Sequence, residues 1–326
     1  MSQSNDILSA FMEHKSFTLE KLYNLFPNIH KGSIRRIIYG LRDKGCLKYS
    51  EEDKCYILSH DYDISKLLEE NILLKKQLDL HNRYSVTDYT FSGDLLRFGV
   101  ISDSHLGSTQ ENIPLLNAAY DTFEKEGITK VFHAGDISDG EHMRPGHEYE
   151  LKIIGFDRQT DYIVNEYPYK ESIETVFLGG NHDESFWKHS GADIGLQIAK
   201  HRPDMIYVGM LEADVNLITP SNSITLRLWH PLLGSAYAIS YHPQRYIESL
   251  SGGSKPDLLV IGNFHKAEWL FYRNIHTIQP GCTQFQTRWM RGKRISVQMG
   301  FCIVELLVNN QGISSLKFQF FPDYNS

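Results

Sequence analysis

Five short apolar runs, each breaking off into carboxylate, imidazole or amide side chains, constrain this chain more than any other feature. The runs are Leu96 to Ile101, Lys130 to His133, Thr175 to Leu178, Thr225 to Trp229 and Asp257 to Ile261. Their length and their β-branched and aromatic content suit buried strands, and Ile113 to Lys125 between the first two suits a helix. Strands alternating with helices predict an α/β fold in which functional groups collect at the carboxyl ends of the strands. Three later segments, Ile275 to Ile278, Phe301 to Leu307 and Leu316 to Phe321, have the look of antiparallel strands closing a second sheet.

The residues just beyond each run carry the chemistry. Asp103-Ser104-His105 comes after the first, Gly135-Asp136-Ile137-Ser138-Asp139-Gly140 after the second, and Gly180-Asn181-His182-Asp183 after the third. His230-Pro231 succeeds the fourth and Gly262-Asn263-Phe264-His265 the fifth. Gathered at one sheet rim, such oxygen and nitrogen donors suit divalent cations.

In this order the blocks resemble the signature of the calcineurin-like metallophosphoesterase superfamily: D-x-H, G-D-x-x-D, G-N-H-D, a lone His and G-H-x-H. Its repair-exonuclease-type and phage-encoded members are the nearest in kind. The resemblance runs from Leu95 to about Phe321. It implies a two-sheet β-sandwich flanked by helices and a hydrolase that acts on phosphoesters with two divalent ions. Asp103, His105 and His265 would then hold one ion, Asn181 and His230 the other, and Asp136 would bridge them. His182 matches the general acid, while Asp139 and Asp183 would orient the imidazoles around them. Asn263 stands where the family has the first histidine of G-H-x-H. An amide oxygen still serves a hard ion, so Mn2+ is the expected metal, ahead of Mg2+, Fe or Zn2+.

Two histidines compete for the lone-His slot, His230 and His242. Closing an apolar strand favours His230, because His242 sits within a helical stretch, Ala236 to Leu250. The segment from His230 to Tyr237 also resembles phosphoesterases of phages and archaea in which a histidine before proline is the ligand. The other histidines, His133, His142, His147, His189, His201 and His276, are read as surface groups or satisfied hydrogen-bonders.

Ahead of this domain, assigned to residues 93–326, residues 1–60 suggest three short helices and a hairpin. The first helix covers Asp6 to His14. The second runs from Thr18 to Leu25 with Leu19, Leu22 and Leu25 inward, and Pro27 beyond it. A third, capped by Ser33 and stopped by Gly45, carries Ile34, Ile37, Ile38 and Leu41. Strands Leu47 to Ser50 and Cys55 to Leu58 flank a polar turn. The order resembles a winged helix-turn-helix. Around its third helix Lys31, Arg35, Arg36, Arg42 and Lys44 face one acid, Asp43, the footprint that DNA phosphates require. Residues 61–92 form a helical linker, where Ile64, Leu67, Asn71, Leu74 and Leu78 alternate three- and four-residue steps like a short coiled-coil seam, which suggests a homodimer.

A net charge of -7 rules out a generally cationic surface, so a nucleic-acid partner must meet local basic patches. One such patch is Arg288-Trp289-Met290-Arg291-Gly292-Lys293-Arg294. There Arg288, Arg291, Lys293 and Arg294 could follow a phosphate backbone and Trp289 could stack a base. No apolar run reaches membrane-spanning length and the start MSQSND lacks a signal-peptide layout, which predicts no membrane and a cytoplasmic address, the host's if a phage encodes the chain. Cys46, Cys55, Cys282 and Cys302, without CxxC spacing, are expected as reduced structural thiols. Three functions remain open: a metal-dependent DNA nuclease or phosphodiesterase, a phosphatase or phosphodiesterase for nucleotides or other small phosphoesters, and a DNA-binding regulator with a decayed phosphoesterase domain.

Overall fold

A computed structural model of the protein describes residues 7, 10–11, 14–43, 45–59 and 86–324. It divides into two compact units, Met1–Leu78 and Asp79–Ser326. The proposed coiled-coil seam from Ile64 to Leu78 and the basic Lys44 lie outside the described residues.

In the first unit Ile7, Ala10, Phe11 and His14 are helical, followed by β1 (Ser16–Phe17), α1 (Leu19–Leu25), α2 (Lys31–Asp43), β2 (Leu47–Ser50) and β3 (Cys55–Leu58). The Thr18 hydroxyl accepts from Lys21 N at 3.3 Å, so Thr18 caps α1 instead of opening it. Ser33, expected as a cap, lies inside α2. The turn at His30 starts that helix earlier, with the His30 carbonyl accepting from Ser33 and Ile34. Gly45 ends the segment at φ +76°, a left-handed conformation that costs a residue without Cβ little. Ile7, Phe11, Leu22, Ile34, Ile38, Leu41, Leu47 and Tyr56 pack into one small core. Leu25, expected inward, is 49% exposed, because it ends the last turn of a seven-residue helix. Strand β3 pairs antiparallel with both β1 and β2.

Two six-stranded mixed sheets build the second unit. One has the order β15-β14-β5-β6-β7-β8, the other β12-β13-β11-β10-β9-β4. In the first, β5 (Leu95–Ile101), β6 (Lys130–His133), β7 (Glu174–Gly179) and β8 (Met205–Met210) run parallel. Antiparallel to β5 comes β14 (Gly300–Asn309), itself paired with β15 (Gly312–Pro322). The second sheet comprises β4 (Val86–Thr90), β9 (Glu212–Ile218), β10 (Ser223–Trp229), β11 (Leu258–Ile261), β12 (Ala267–Tyr272) and β13 (Ile275–Pro280).

Alternation along the strands explains the layers. Leu96, Phe98 and Val100 of β5 join Leu226, Leu228, Leu258 and Val260 in the core between the sheets. Ile101, Val131 and Phe177 instead meet α3 (Ile113–Lys125), α4 (Phe156–Glu166) and α6 (Ile194–His201), which cover the first sheet; α5 (Glu184–Ser190) follows β7. Helix α7 (Tyr241–Ser249) buries Ile247 against Leu259 and Ile261 of the second sheet. This is the expected α/β sandwich flanked by helices.

Three expectations need correction. The strands over Phe301 to Leu307 and Leu316 to Phe321 extend the first sheet through β5, and only Ile275–Pro280 belongs to the second, parallel to β11. Residues 86–90, assigned to the linker, pair with β9 as an edge strand. Helix α7 begins at Tyr241, five residues later than Ala236. Among the described residues no helix is long and apolar enough to cross a membrane.

Candidate metal centre

Strands β5, β6 and β7 lie side by side and parallel, so their carboxyl ends release three loops along one rim. The β10 and β11 ends, parallel in the facing sheet, reach the same place. Turning sharply there costs strain. Asp103, His105, Asp136, Asn263 and His265 all have left-handed φ, between 46° and 72°, a conformation worth roughly 1–3 kcal/mol of strain for each non-glycine residue. Backbone bonds hold it in place: Asp103 N donates to Gly135 O at 3.0 Å, His105 N to Asp136 O at 3.0 Å, and Gln298 N to His265 O at 2.9 Å. Glycines permit the crowding. A Cβ on Gly180 would lie 2.2 Å from Asp136 Oδ1, and one on Gly135, at φ +99°, would lie 2.4 Å from His230 Nδ1.

Asp103, His105, Asp136, His230 and His265 are at most 5% exposed. Donor atoms of Asp103, His105 and His265 lie within 4.8 Å of one another, as do those of Asp103, Asp136 and His230. His105 Nδ1 lies 3.0 Å from Asp139 Oδ1, so the ring proton sits on Nδ1 and Nε2 presents a bare lone pair. That Nε2 lies 3.3 Å from His265 Nε2 and 3.7 Å from Asp136 Oδ2. His230 Nδ1 likewise donates to Ala134 O at 2.7 Å. Its Nε2 then faces Asp136 Oδ2 at 3.1 Å and Asn181 Oδ1 at 3.0 Å. A positive charge belongs at this point, supplied by a proton on His230 Nε2 or by a cation in its place, and a mixed set of imidazole, carboxylate and amide fits a divalent metal. Asp136 Oδ2 is shared between the His105 and His230 nitrogens.

The local potential points the same way. Burial works against a charged His230, yet the Asp136 carboxylate and then Asp103 push it up to about 9. Burial also opposes ionisation of Asp136, but His230 and His182 hold it far below the usual carboxylate range. His230 lies among the clustered donors, whereas His242 does not and stacks on Phe264 with ring centroids 5.1 Å apart.

Around these donors a carboxylate network fixes orientation. Asp139 Oδ1 contacts both His105 Nδ1 and, at 3.4 Å, His182 Nδ1. Its other oxygen lies 3.4 Å from His147 Nε2. His147, read from sequence as an ordinary surface or satisfied group, is therefore a buried member of the site, 1% exposed. His182 Nδ1 donates to Asp139 O at 2.6 Å, which leaves Nε2 for the open side. Burial disfavours its charge, but Asp136 and Asp139 raise it to about 9. Asp183 clamps two loops together, accepting from Ile137 N, Ser138 N, Ser138 Oγ and Gly180 N at 2.6 to 3.2 Å. It thus reaches the β6 and β7 turns, not the imidazoles it was expected to orient. Asn263 N donates to both Asp103 oxygens at 3.0 and 3.1 Å, while its amide Nδ2 donates to Leu233 O at 2.7 Å.

His105, Asp136, Asn181, His182, Asn263 and His265 open onto a cleft of about 220 Å³. Its walls are Met143, Arg144, Leu233, Phe264, Trp289, Met290 and Ile295. Of the basic run, Trp289 reaches this cleft from the helix α8 (Arg288–Gly292), Arg288 and Lys293 line an adjoining depression, and Arg291 lines another pocket. Arg294 lines neither the cleft nor that depression. Arg144 and His147 had no sequence signal beyond a cluster of polar residues after Gly140, because the loop over 141–155 has no period to read. His133 is buried and satisfied, its Nε2 3.0 Å from Ser104 Oγ. His142, His189 and His201 are exposed and His276 half-buried. All four cysteines are buried and free.

Residues 96–228 match the family described as calcineurin-like phosphoesterase. That stretch, from β5 to β10, is the part of the chain that resembles a calcineurin-like phosphoesterase domain. The match stops before His230 and His265, whose membership in the site rests on geometry. Among curated proteins, the DNA polymerase II small subunits of two Halobacterium salinarum strains are 22% identical over 242 residues, covering 60% of this chain. The chain spans 45% of the length of those relatives. Similar solved structures include an archaeal phosphodiesterase, 13% identical with a TM-score of 0.40, covering 69% of this chain and all of the other. A predicted phosphoesterase of Streptococcus pneumoniae TIGR4 is 16% identical with a TM-score of 0.34, covering 70% of this chain and 98% of its own.

Proposed function

We propose that the protein is a metal-dependent phosphodiesterase that cleaves DNA at a two-cation centre. The observation that carries this is the convergence of His230 Nε2, Asn181 Oδ1 and Asp136 Oδ2, beside His105, His265 and Asp103, on an open cleft. Asp103, His105, His265 and Asp136 would hold one divalent ion and Asp136, Asn181 and His230 the other, with Mn2+ favoured by the amide donor. Bound there, the pair would neutralise phosphoryl charge and lower the pKa of water. His182, pinned through Nδ1, would offer Nε2 to the leaving oxygen as general acid, and Asp139 would hold both that ring and His105 in register.

Three features favour a polynucleotide. Trp289 and Arg144 flank the cleft, a basic run continues from it, and the curated relatives are DNA polymerase subunits. The first unit supports the same reading. Its order of helix, β1, two helices and a hairpin resembles a winged helix, and Lys31, Arg35, Tyr39 and Arg42 share a face of α2. Arg36 adds a further charge, and Arg35 is steadied by the Tyr23 hydroxyl at 2.6 Å.

The test incubates the purified chain with labelled single- and double-stranded DNA and manganese, beside Asp136→Ala and His182→Ala. Cleavage by the parent should vanish in Asp136→Ala and fall by about 10²- to 10⁴-fold in His182→Ala. Equal cleavage by all three would refute the assignment. The small cleft also suits a nucleotide-sized ester, so turnover of a chromogenic phosphomonoester with DNA left intact would select that second reading. Duplex binding without metal uptake or hydrolysis would leave only a regulator.

A further inference from the structure

We infer that the depression beside the metal cleft seats an unstacked nucleotide flanking the scissile phosphate, so that the protein acts on single strands and frayed ends in preference to intact duplex. This rests on the phosphodiesterase reading above. The depression has a volume of about 560 Å³ and shares Arg144 and Trp289 with the cleft as a common wall. A strand with its scissile phosphate at the metal donors would pass over that wall. The cleft alone, at about 220 Å³, is smaller than ordinary ligand pockets of roughly 300–1,000 Å³. It therefore admits one backbone at a time.

The wall is built to receive a base. The Arg144 guanidinium lies 4.7 Å from the centroid of the Trp289 ring. Glu150 fixes both groups, pairing with Arg144 and accepting from Trp289 N at 3.0 Å. The backbone that carries the indole is thus tied down, Arg144 lies over the ring, and Trp289 is still 40% exposed. Tyr149, 84% exposed, offers a second ring in the same depression. Arg144 is neutralised by Glu150, but the exposed side chains of Arg288 and Lys293 have no ion pair or hydrogen bond among the described residues. Aromatic faces interleaved with uncompensated cations are what a single strand needs, since every base has a face to stack and every step a phosphate to neutralise. A base inside a duplex has both faces occupied and must first be extruded.

Binding of the full chain to a fluorescein-labelled oligothymidylate, in chelator so that nothing is cut, tests this. Trp289→Ala should weaken binding about tenfold or more, from roughly 1–3 kcal/mol of stacking per base, and Trp289→Phe should recover much of it. Arg288→Ala with Lys293→Ala should lower the slope of log K against log salt by about 1.4, at ~0.7 per phosphate contact on a single strand. With manganese, the parent should cut the single strand at least tenfold faster than the same sequence in duplex. Parental binding by Trp289→Ala, an unchanged salt slope, or no binding by the parent would overturn the inference. Should the parent hydrolyse bis(4-nitrophenyl) phosphate while any of those holds, only the seat is wrong. A parent that hydrolyses no diester at all would instead sink the phosphodiesterase reading.

Discussion

Acid should unfold the phosphoesterase unit through His133, and the size of the effect can be worked from its surroundings. His133 ends β6 wholly buried, its Nδ1 accepting from Gly135 N at 3.2 Å and its Nε2 bonded to Ser104 Oγ. Burial holds its pKa down to about 3, against 6.5 when exposed, although Asp103 pulls the other way. The folded ring stays neutral while the unfolded one takes a proton below pH 6.5. Stability is therefore complete above that pH and is lost as pH falls towards 3. At 1.36 kcal/mol per pH unit the full loss is roughly 5 kcal/mol, and at pH 4.5 about 2.7 kcal/mol. The perturbation is His133→Asn, which keeps an acceptor for Gly135 N–H and removes the titrating ring. Losing the Ser104 partner costs about 1–3 kcal/mol, the same at every pH. Urea unfolding followed by tryptophan fluorescence reports this unit alone, because Trp187, Trp229, Trp269 and Trp289 all lie in it. With a urea slope of about 3 kcal/mol/M, the parent midpoint should drop by about 0.9 M more than the variant's between pH 7 and 4.5. Parallel curves for the two proteins would refute the reasoning.

Other substitutions probe the site and its scaffold. Gly180→Ala, whose Cβ would press on Asp136 Oδ1, should cost at least tenfold in manganese affinity by calorimetry while the circular dichroism spectrum stays native. Asn263→His, restoring an imidazole where the amide now bonds Leu233 O, should tighten zinc more than manganese in a competition titration. Arg227 is buried and bonds both Asp214 oxygens, at 2.7 and 2.9 Å. Arg227→Leu should therefore destabilise the unit by about 3–5 kcal/mol in urea, and adding Asp214→Leu should restore much of that.

The same bonds explain which parts of the fold were legible in sequence. Helix Ile113–Lys125 and strand Lys130–His133 match their expected limits because Asn112 caps the one and unbroken apolar character marks the other. Strand Glu212–Ile218 escaped notice because Asp214 breaks its apolar pattern, and it is the distant Arg227 that pairs with that aspartate in the sheet. Edge strands Val86–Thr90 and Ala267–Tyr272 bury too little to leave a pattern, the latter with Trp269 and Phe271 turned outward. Strand Gly300–Asn309 was legible as a strand, yet its partner Leu95–Ile101 lies some two hundred residues earlier, and no local property of Phe301 or Val304 names a sheet.

The site divides along the same line. Metal chemistry restricts residue type, so Asp103, His105, Asp136, Asn181 and His265 announce themselves wherever strands end. The proposed substrate wall would need only shape and charge, which many residue types supply. Arg144 matters because Glu150 turns it onto a tryptophan far along the chain. His147 matters because Asp139 has an oxygen to spare after His105 and His182 have shared the other. Such roles exist only once the chain has folded, and they are where the substrate assignment has to be tested.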